Sequence, residues 1–428
     1  MEIIGKGDLS QAANKLGAVW VARKLPDGAI CAHANQARIT TFAKDSPEDT
    51  LFAPDVISFA RDIGLYTGSD DDFSFSDVYD PLTFGGARFC EARVWSMFGK
   101  VMGKDWMNQY EDYAMGYNMT NRMPLFVHPP TQVSTKIVME IMRDHYEGLP
   151  NDMQGLEFDD VGASSAEIPV RAHPLTWTGS PDGKTTKDYF NERPVGTQQT
   201  GWCFVATSRS WKPKPLRGVM WWAPDDSSTS AHLPIYGSAS HAPAEYAGKG
   251  LQQGVTSPML TFNQRASFWA FNVVANWAYT RWNLMYPELH STIVSTEDAM
   301  HESLVQMDMT AERVFYEQGY EACVSIVTKW SDILGKQLVD QWNTLFGYFF
   351  VKYRDGYITT SDPDNVSCVC KIDNGPYPQA WYENIVKSTG KHYEVPTPPA
   401  APKTRRVSVG PNGEDFRPIS KKALLARR

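Results

Sequence analysis

An α+β fold of layered strands and helices is what this chain of 428 residues predicts, and three observations carry the expectation. Short β-rich runs dominate the first half and long helical patterns the second, an order that suits segregated strands and helices rather than alternating βα units. Hydrophobic residues make up 42% and charged residues 21%, enough apolar material for a sizeable core and too little charge for global disorder. No Gly-rich phosphate loop follows a strand and no helical HExxH occurs, so nucleotide-binding and zinc-protease folds lack their usual signatures.

The elements follow in order. Residues 17–25 are β-rich, Pro26-Asp27-Gly28 signals a turn, and residues 29–41 continue as a second strand, together a hairpin. A helix starts after Ala53: Pro54 suits the first helical position, Val56, Ile57, Phe59 and Ala60 supply apolar contacts, and Gly64 suits the end. A polar connection over residues 70–77 leads to a second helix over 86–98, and residues 137–145 form a third. Residues 197–209 and 217–222 read as strands, the second followed by the polar run 225–230. Residues 267–286 form a helix apolar on more than one face and therefore buried, and two more helices lie between 297 and 345. Beyond Val395 the composition turns to Pro, Lys and Arg. Residues 396–428 are read as a flexible basic tail carrying +6, and residues 1–395 as one enzyme-like domain carrying −14.

Charge and cysteine usage narrow the function. A net charge of −8 argues against a nucleic-acid surface, which needs a basic stripe. No apolar run approaches the roughly 20 residues that span a bilayer. The first residues lack a basic segment followed by an apolar one, so they do not form a signal peptide. The six cysteines make no disulfide framework for so long a chain, and all six are expected to be reduced thiols, which points to the cytoplasm. Cys368 and Cys370 lack a second pair and the histidines show no ligand spacing, so no metal site is expected. In the tail, Arg405-Arg-Val-Ser408 resembles a basophilic kinase site.

Two residues stand out as carriers of chemistry. In Cys31-Ala-His-Ala-Asn-Gln-Ala-Arg38, strand periodicity puts His33 and Asn35 on one face and Gln36 and Arg38 on the other. The Asn35 amide offers two donors suited to a developing oxyanion; its bland role is to satisfy neighbouring backbone. Arg93 sits in an otherwise apolar helix face, where a charge needs a partner. It could hold a carboxylate or an active-site network; its bland role is a salt bridge with Glu91 or Asp77, and Arg88 is the alternative for the same function. Cys31 and His33 share a face at i, i+2 without being forced to bond, which makes a poor nucleophile–base pair. Asp225-Asp226 could serve acid–base work or a cation, although such a pair after a strand more often starts a turn.

Motifs in a fixed order add a further constraint. Met1-Glu-Ile-Ile-Gly-Lys-Gly, Ala32-His-Ala-Asn-Gln-Ala-Arg-Ile39, Arg93-Val-Trp95, Pro194-Val-Gly-Thr-Gln-Gln-Thr-Gly201, Val219-Met-Trp-Trp222 with Asp225-Asp226, and Phe268-Trp-Ala-Phe-Asn-Val-Val-Ala-Asn276 together resemble the dipeptidase A and secernin family of cysteine N-terminal-nucleophile hydrolases. The resemblance implies a four-layer αββα sandwich with additional C-terminal helices and hydrolysis of dipeptides or short peptides. It implies a Cys nucleophile at the mature N-terminus whose own α-amine is the base, with no metal or organic cofactor. It makes Asn35 the oxyanion or substrate-positioning residue and Arg93 the support of the catalytic centre. The segment resembling Met1-Glu-Ile-Ile lies well inside the family's chains, after a region that begins with the nucleophile. The expectation is therefore a truncated, inactive dipeptidase portion, compatible with a homo-oligomer and incomplete in its sheets. The competing expectation is a non-enzymatic, secernin-like binding protein. A carbohydrate-active protein with Trp platforms lacks any supporting motif.

Overall fold

A computed structural model of the chain describes residues 1–6, 17–152, 176–180, 182–190, 192–247, 260–374 and 379–395. The basic tail and Ser408 lie outside the described residues. Strands and helices are mixed, as the α+β expectation holds.

The first elements are β1 (Glu2–Gly5), β2 (Ala18–Arg23), β3 (Ile30–Cys31) and β4 (Thr50–Phe52). Antiparallel β1-β2-β4 form a three-stranded sheet, with Ile4 opposite Val19 and Val21 opposite Phe52. Val19 and Val21 point into a core with α1 (Val56–Asp62), Phe73 and Phe75. Gly64 beyond α1 takes φ +76°, the left-handed turn that a glycine adopts without strain. Helix α2 (Phe75–Tyr79) is capped by the Ser74 hydroxyl, which accepts from the Asp77 amide.

The hairpin expected over residues 17–41 does not form. β2 pairs with β1 and β4, and β3 pairs instead with a later strand. Residues 32–40 leave the ladder because side chains satisfy their backbone. The Glu2 carboxylate accepts from the Arg38 and Ile39 amides at 2.6 and 3.0 Å, and Asp80 accepts from the Ala37 amide at 2.7 Å. The alternation read from the sequence nevertheless survives: His33 and Asn35 are exposed, Gln36 and Arg38 buried.

A π-helical turn, Gly86–Glu91, runs directly into α3 (Ala92–Met102), followed by α4 (Lys104–Ala114). A Cβ at Gly86 would stand 2.2 Å from the Gln36 side-chain oxygen, so that side chain would have to shift to admit one. Ala92, Trp95 and Phe98 of α3 pack with Met107 and Tyr113 of α4 in a second core. Next come β5 (Phe126–Val127), the partner of β3, and α5 (Thr135–Ile141).

The second half begins with the hairpin β6 (Thr176–Gly179) and β7 (Lys187–Phe190). A second antiparallel sheet has β8 (Trp202–Ser208), β9 (Gly218–Pro224) and β10 (Leu233–Tyr236) in the order β10-β9-β8. Its buried face, with Val205, Val219 and Trp221, packs in the largest core with α6 (Ser267–Ala278), α7 (Trp282–Gln318) and α8 (Tyr320–Tyr353). The helix expected over 267–286 is two helices. Thr280 returns its hydroxyl to the Trp277 carbonyl and Arg281 leaves the helical region at φ −150°, so α7 restarts at Trp282. Gly319 at φ +91° separates α7 from α8.

β11 (Tyr357–Ser361) and β12 (Cys370–Asn374) form a hairpin, and α9 (Gln379–Thr389) follows. Cys368 and Cys370 are bonded, which corrects the expectation of six reduced thiols. The turn before β12, with Val369 at φ +55°, brings their Cα atoms to 5.1 Å, within reach of a disulfide. A first compact unit spans Met1–Trp381, and the described residues from Tyr382 to Val395 belong to a second.

Candidate functional site

The structure brings Asn35 and Arg93 together. Arg93 Nη2 donates to Asn35 Oδ1 at 2.8 Å and to the Ala34 carbonyl at 3.1 Å, while Nε donates to the Phe89 carbonyl at 2.8 Å. Glu91 is taken by Arg38, and Asp77 by Arg122 at 2.7 Å, so the salt bridges considered for Arg93 do not form. Burial pushes the Arg93 guanidinium below its ordinary pKa, and the Cys90 thiol and Tyr146 beside it offset part of that.

This contact fixes the Asn35 amide. Arginine has no acceptor, so Oδ1 must face Arg93 and Nδ2 must face away. Asn35 is exposed and sits at φ +72°, a conformation asparagine tolerates better than most residues. The segment that presents it is anchored from beneath. Gln36 Nε2 donates to Asp80, and Arg38 bridges Glu91 and the carbonyls of Ala32, Pro124 and Leu125. The alternative Arg88 is not free for the same task, because its guanidinium pairs with Glu192.

Helix α3 carries the network inward. Arg93, Ser96 and Lys100, at i, i+3 and i+7, share one face. Ser96 donates to Asp144 at 2.5 Å, and Lys100 pairs with Asp144 at 2.8 Å and with Glu147 at 3.6 Å. His145 lies against the Ser228 hydroxyl at 3.0 Å. Its burial opposes the charged form, yet the Glu147 contact and the Asp226 and Asp144 charges raise its pKa overall. Beyond it lie Asp225 and Asp226, both buried. Tyr279 donates to Asp226 at 2.6 Å and Asn272 to Asp225 at 3.1 Å. Burial, then the Asp226 charge, raise the Asp225 carboxyl to about 7, and Asp225 takes φ +62° at the turn ending β9. The turn reading of this pair therefore holds, in a fully buried setting.

Cys31 does not join with His33. Its thiol approaches the Ala32 carbonyl at 3.8 Å, and burial raises its pKa, the wrong direction for a nucleophile. His33 lies 3.9 Å from Glu2. Sequence reasoning missed Ser96, Lys100, Asp144, His145 and Ser228. Two signals pointed there: the polar stripe on α3, and the hydroxyl-rich run 227–230 with His232 just after it. Among the described residues no group of three or more His, Cys, Asp or Glu is placed to hold a metal ion, and no helix is long and apolar enough to cross a membrane.

An oriented Asn35 amide, held by the half-buried Arg93 guanidinium, thus lies on a scaffold of mixed strands and helices. The model of peptidase family C69 matches residues 1–294, and the chain belongs to that family. A probable dipeptidase of Salmonella dublin is 26% identical over 136 residues, 32% of this chain and 30% of that protein. Dipeptidase A of Lactobacillus helveticus is 20% identical over 323 residues, 75% of this chain and 58% of that protein. A probable dipeptidase A of Streptococcus pyogenes serotype M3 is 22% identical over 233 residues, 53% of this chain and 42% of that protein. The chain thus spans between 30% and 58% of the length of these relatives.

Proposed function

We propose that this chain supplies the oxyanion-stabilising part of a dipeptidase, with Asn35 as the donor and Arg93 as the residue that orients it. The observation that carries the reading is the Arg93–Asn35 hydrogen bond at 2.8 Å, which takes up Oδ1 and turns Nδ2 away from Arg93. A fixed donor needs no reorganisation when a tetrahedral oxyanion develops, and this is where such donors gain their effect. The names of the relatives, which are dipeptidases, support peptide hydrolysis as the reaction.

In this reading the nucleophile is a Cys at the mature N-terminus, with its α-amine as general base. An amine of pKa about 8 takes the thiol proton at neutral pH and returns it to the leaving amine. In this reading none of the six cysteines among these 428 residues is that nucleophile. The two three-stranded sheets, β1-β2-β4 and β10-β9-β8, would be inner layers of the αββα sandwich. The substrate would be a dipeptide or short peptide in the cytoplasm. The N-terminal sequence and intact mass of the protein from its own cells, with dipeptide hydrolysis by the same sample, test this. A heavier chain that begins with Cys and releases amino acids supports it. A chain that begins at Met1 or Glu2 and hydrolyses nothing replaces it with a binding role.

A further inference from the structure

The end of the β11–β12 hairpin carries a bonded pair of cysteines that peptide hydrolysis does not use. Cys368 and Cys370 lie beyond residues 1–294, the span that matches the family. Their bond encloses a single residue, Val369, so its loop is among the shortest a disulfide can close. The chain entropy it removes from the unfolded state is correspondingly small. Val369 sits at φ +55°, a region in which a β-branched residue is strained. Cys368 is exposed and Cys370 half-buried, whereas Cys31, Cys90, Cys203 and Cys323 are free thiols.

The turn is held together without the sulfurs. The Val369 amide donates to the Asn365 carbonyl at 2.7 Å, and the Asp362 amide to the Val369 carbonyl at 3.0 Å. Asn365 Nδ2 donates to the Cys370 carbonyl at 2.8 Å and stands 3.5 Å from Cys368 Sγ. The antiparallel register, with Ser361 opposite Cys370, continues into the strands. Opening the S–S bond therefore leaves both sulfurs side by side, placed to close again. A disulfide that is exposed and closed around a strained residue is of the labile kind, unlike a structural one.

We propose that Cys368 and Cys370 form a thiol–disulfide exchange site, with Cys368 as the sulfur that exchanges with an external thiol. An external thiolate attacks Cys368 Sγ; the S–S bond breaks, and its electron pair leaves on Cys370, which takes up a proton. A second external thiolate attacks the mixed disulfide on the external sulfur, releases Cys368 as a thiolate and departs as the external disulfide. Two external thiols are thus oxidised while the protein disulfide is reduced to a dithiol. In the reverse direction the Asn365 amide favours the Cys368 thiolate that attacks an external disulfide.

Glutathione is the probe, applied to the full chain with acid quenching, alkylation and peptide mass mapping. As the ratio of reduced to oxidised glutathione rises, the pair is expected to pass from disulfide to dithiol. It is then about tenfold or more easier to reduce than an inert structural disulfide, which the glutathione pool leaves closed. In Cys370→Ser, oxidised glutathione should add to Cys368 about tenfold faster than to Cys31 of the same molecule, whose thiol is pushed up by burial. Asn365→Ala in that background should slow the addition several-fold while the circular dichroism spectrum stays native. A pair that stays bonded in every glutathione buffer and opens only to dithiothreitol overturns the proposal. So does a pair that is already two thiols in oxidised glutathione alone, or a Cys368 that reacts no faster than Cys31. None of these readings involves peptide turnover, so the exchange site and the dipeptidase reading stand or fall separately.

Discussion

Replacement of Glu297 by Gln should cost about 3 kcal/mol at neutral pH, and the deficit should shrink in acid. Glu297 of α7 is buried. Its Oε1 accepts from the His232 amide at 2.9 Å, contacts the His232 ring at 2.7 Å and pairs with the buried Arg143. Burial alone would raise the carboxyl, but His232 and Arg143 reverse this and bring it down to about 2 from an ordinary 4.5. A lowered folded-state pKa contributes stability that is present above the unfolded value and is lost as pH falls towards the folded one. At about 1.36 kcal/mol per pKa unit the shift is worth about 3 kcal/mol at pH 7, of which about 2 remain near pH 3.5. The independent expectation for breaking a buried pair, about 3–5 kcal/mol, agrees. Denaturant unfolding of parent and E297Q from neutral pH down to about pH 3.5 reads both quantities. A loss below about 1 kcal/mol, or a gap that stays constant with pH, would refute the reasoning.

Other outcomes follow from the same geometry. Under the proposed function, Asn35→Ala should lower dipeptide turnover about 10²-fold or more, as removal of an oxyanion donor does; unchanged turnover in a folded variant removes Asn35 from the site. Asp225→Asn should stabilise the fold at pH 8 relative to pH 4. The parent carboxyl is raised to about 7, so its contribution to stability is fully present below the unfolded value and is lost as pH rises through 7. An equal effect of D225N at both pH values would contradict the burial argument. Cys31→Ala should leave dipeptide turnover within about twofold, since its thiol is pushed up and lacks a base; a loss of 10²-fold would make Cys31 the nucleophile after all.

Local chemistry set much of this in advance. The apolar runs gave β8, β9, α1 and α3 near their observed places, because burial on one face leaves a period that a sequence displays. The ordered motifs placed the chain in its family and singled out Asn35 and Arg93, 58 residues apart, which the fold brings into contact. The alternation over residues 31–38 separated His33 and Asn35 from Gln36 and Arg38, as observed, even though no strand runs through these residues; that the Asn35 side is the exposed one came from the fold.

Tertiary structure decided the rest, because partners far apart in sequence settle what a local pattern leaves open. Glu2 and Asp80 captured the backbone donors of residues 37–39 and so dissolved the second arm of the expected hairpin. Arg38 claimed Glu91, which left Arg93 for Asn35. No periodicity encodes either choice: each is a competition among buried charges, and the folded arrangement leaves few of them unpaired. The disulfide is instead a local outcome: Cys368 and Cys370 are two residues apart, and the turn at Val369 sets their Cα atoms 5.1 Å from each other. The sequence by itself determined which residue types could hold an oxyanion and where the core elements run; the fold decided which guanidinium faces Asn35, because that depends on which carboxylates are already taken.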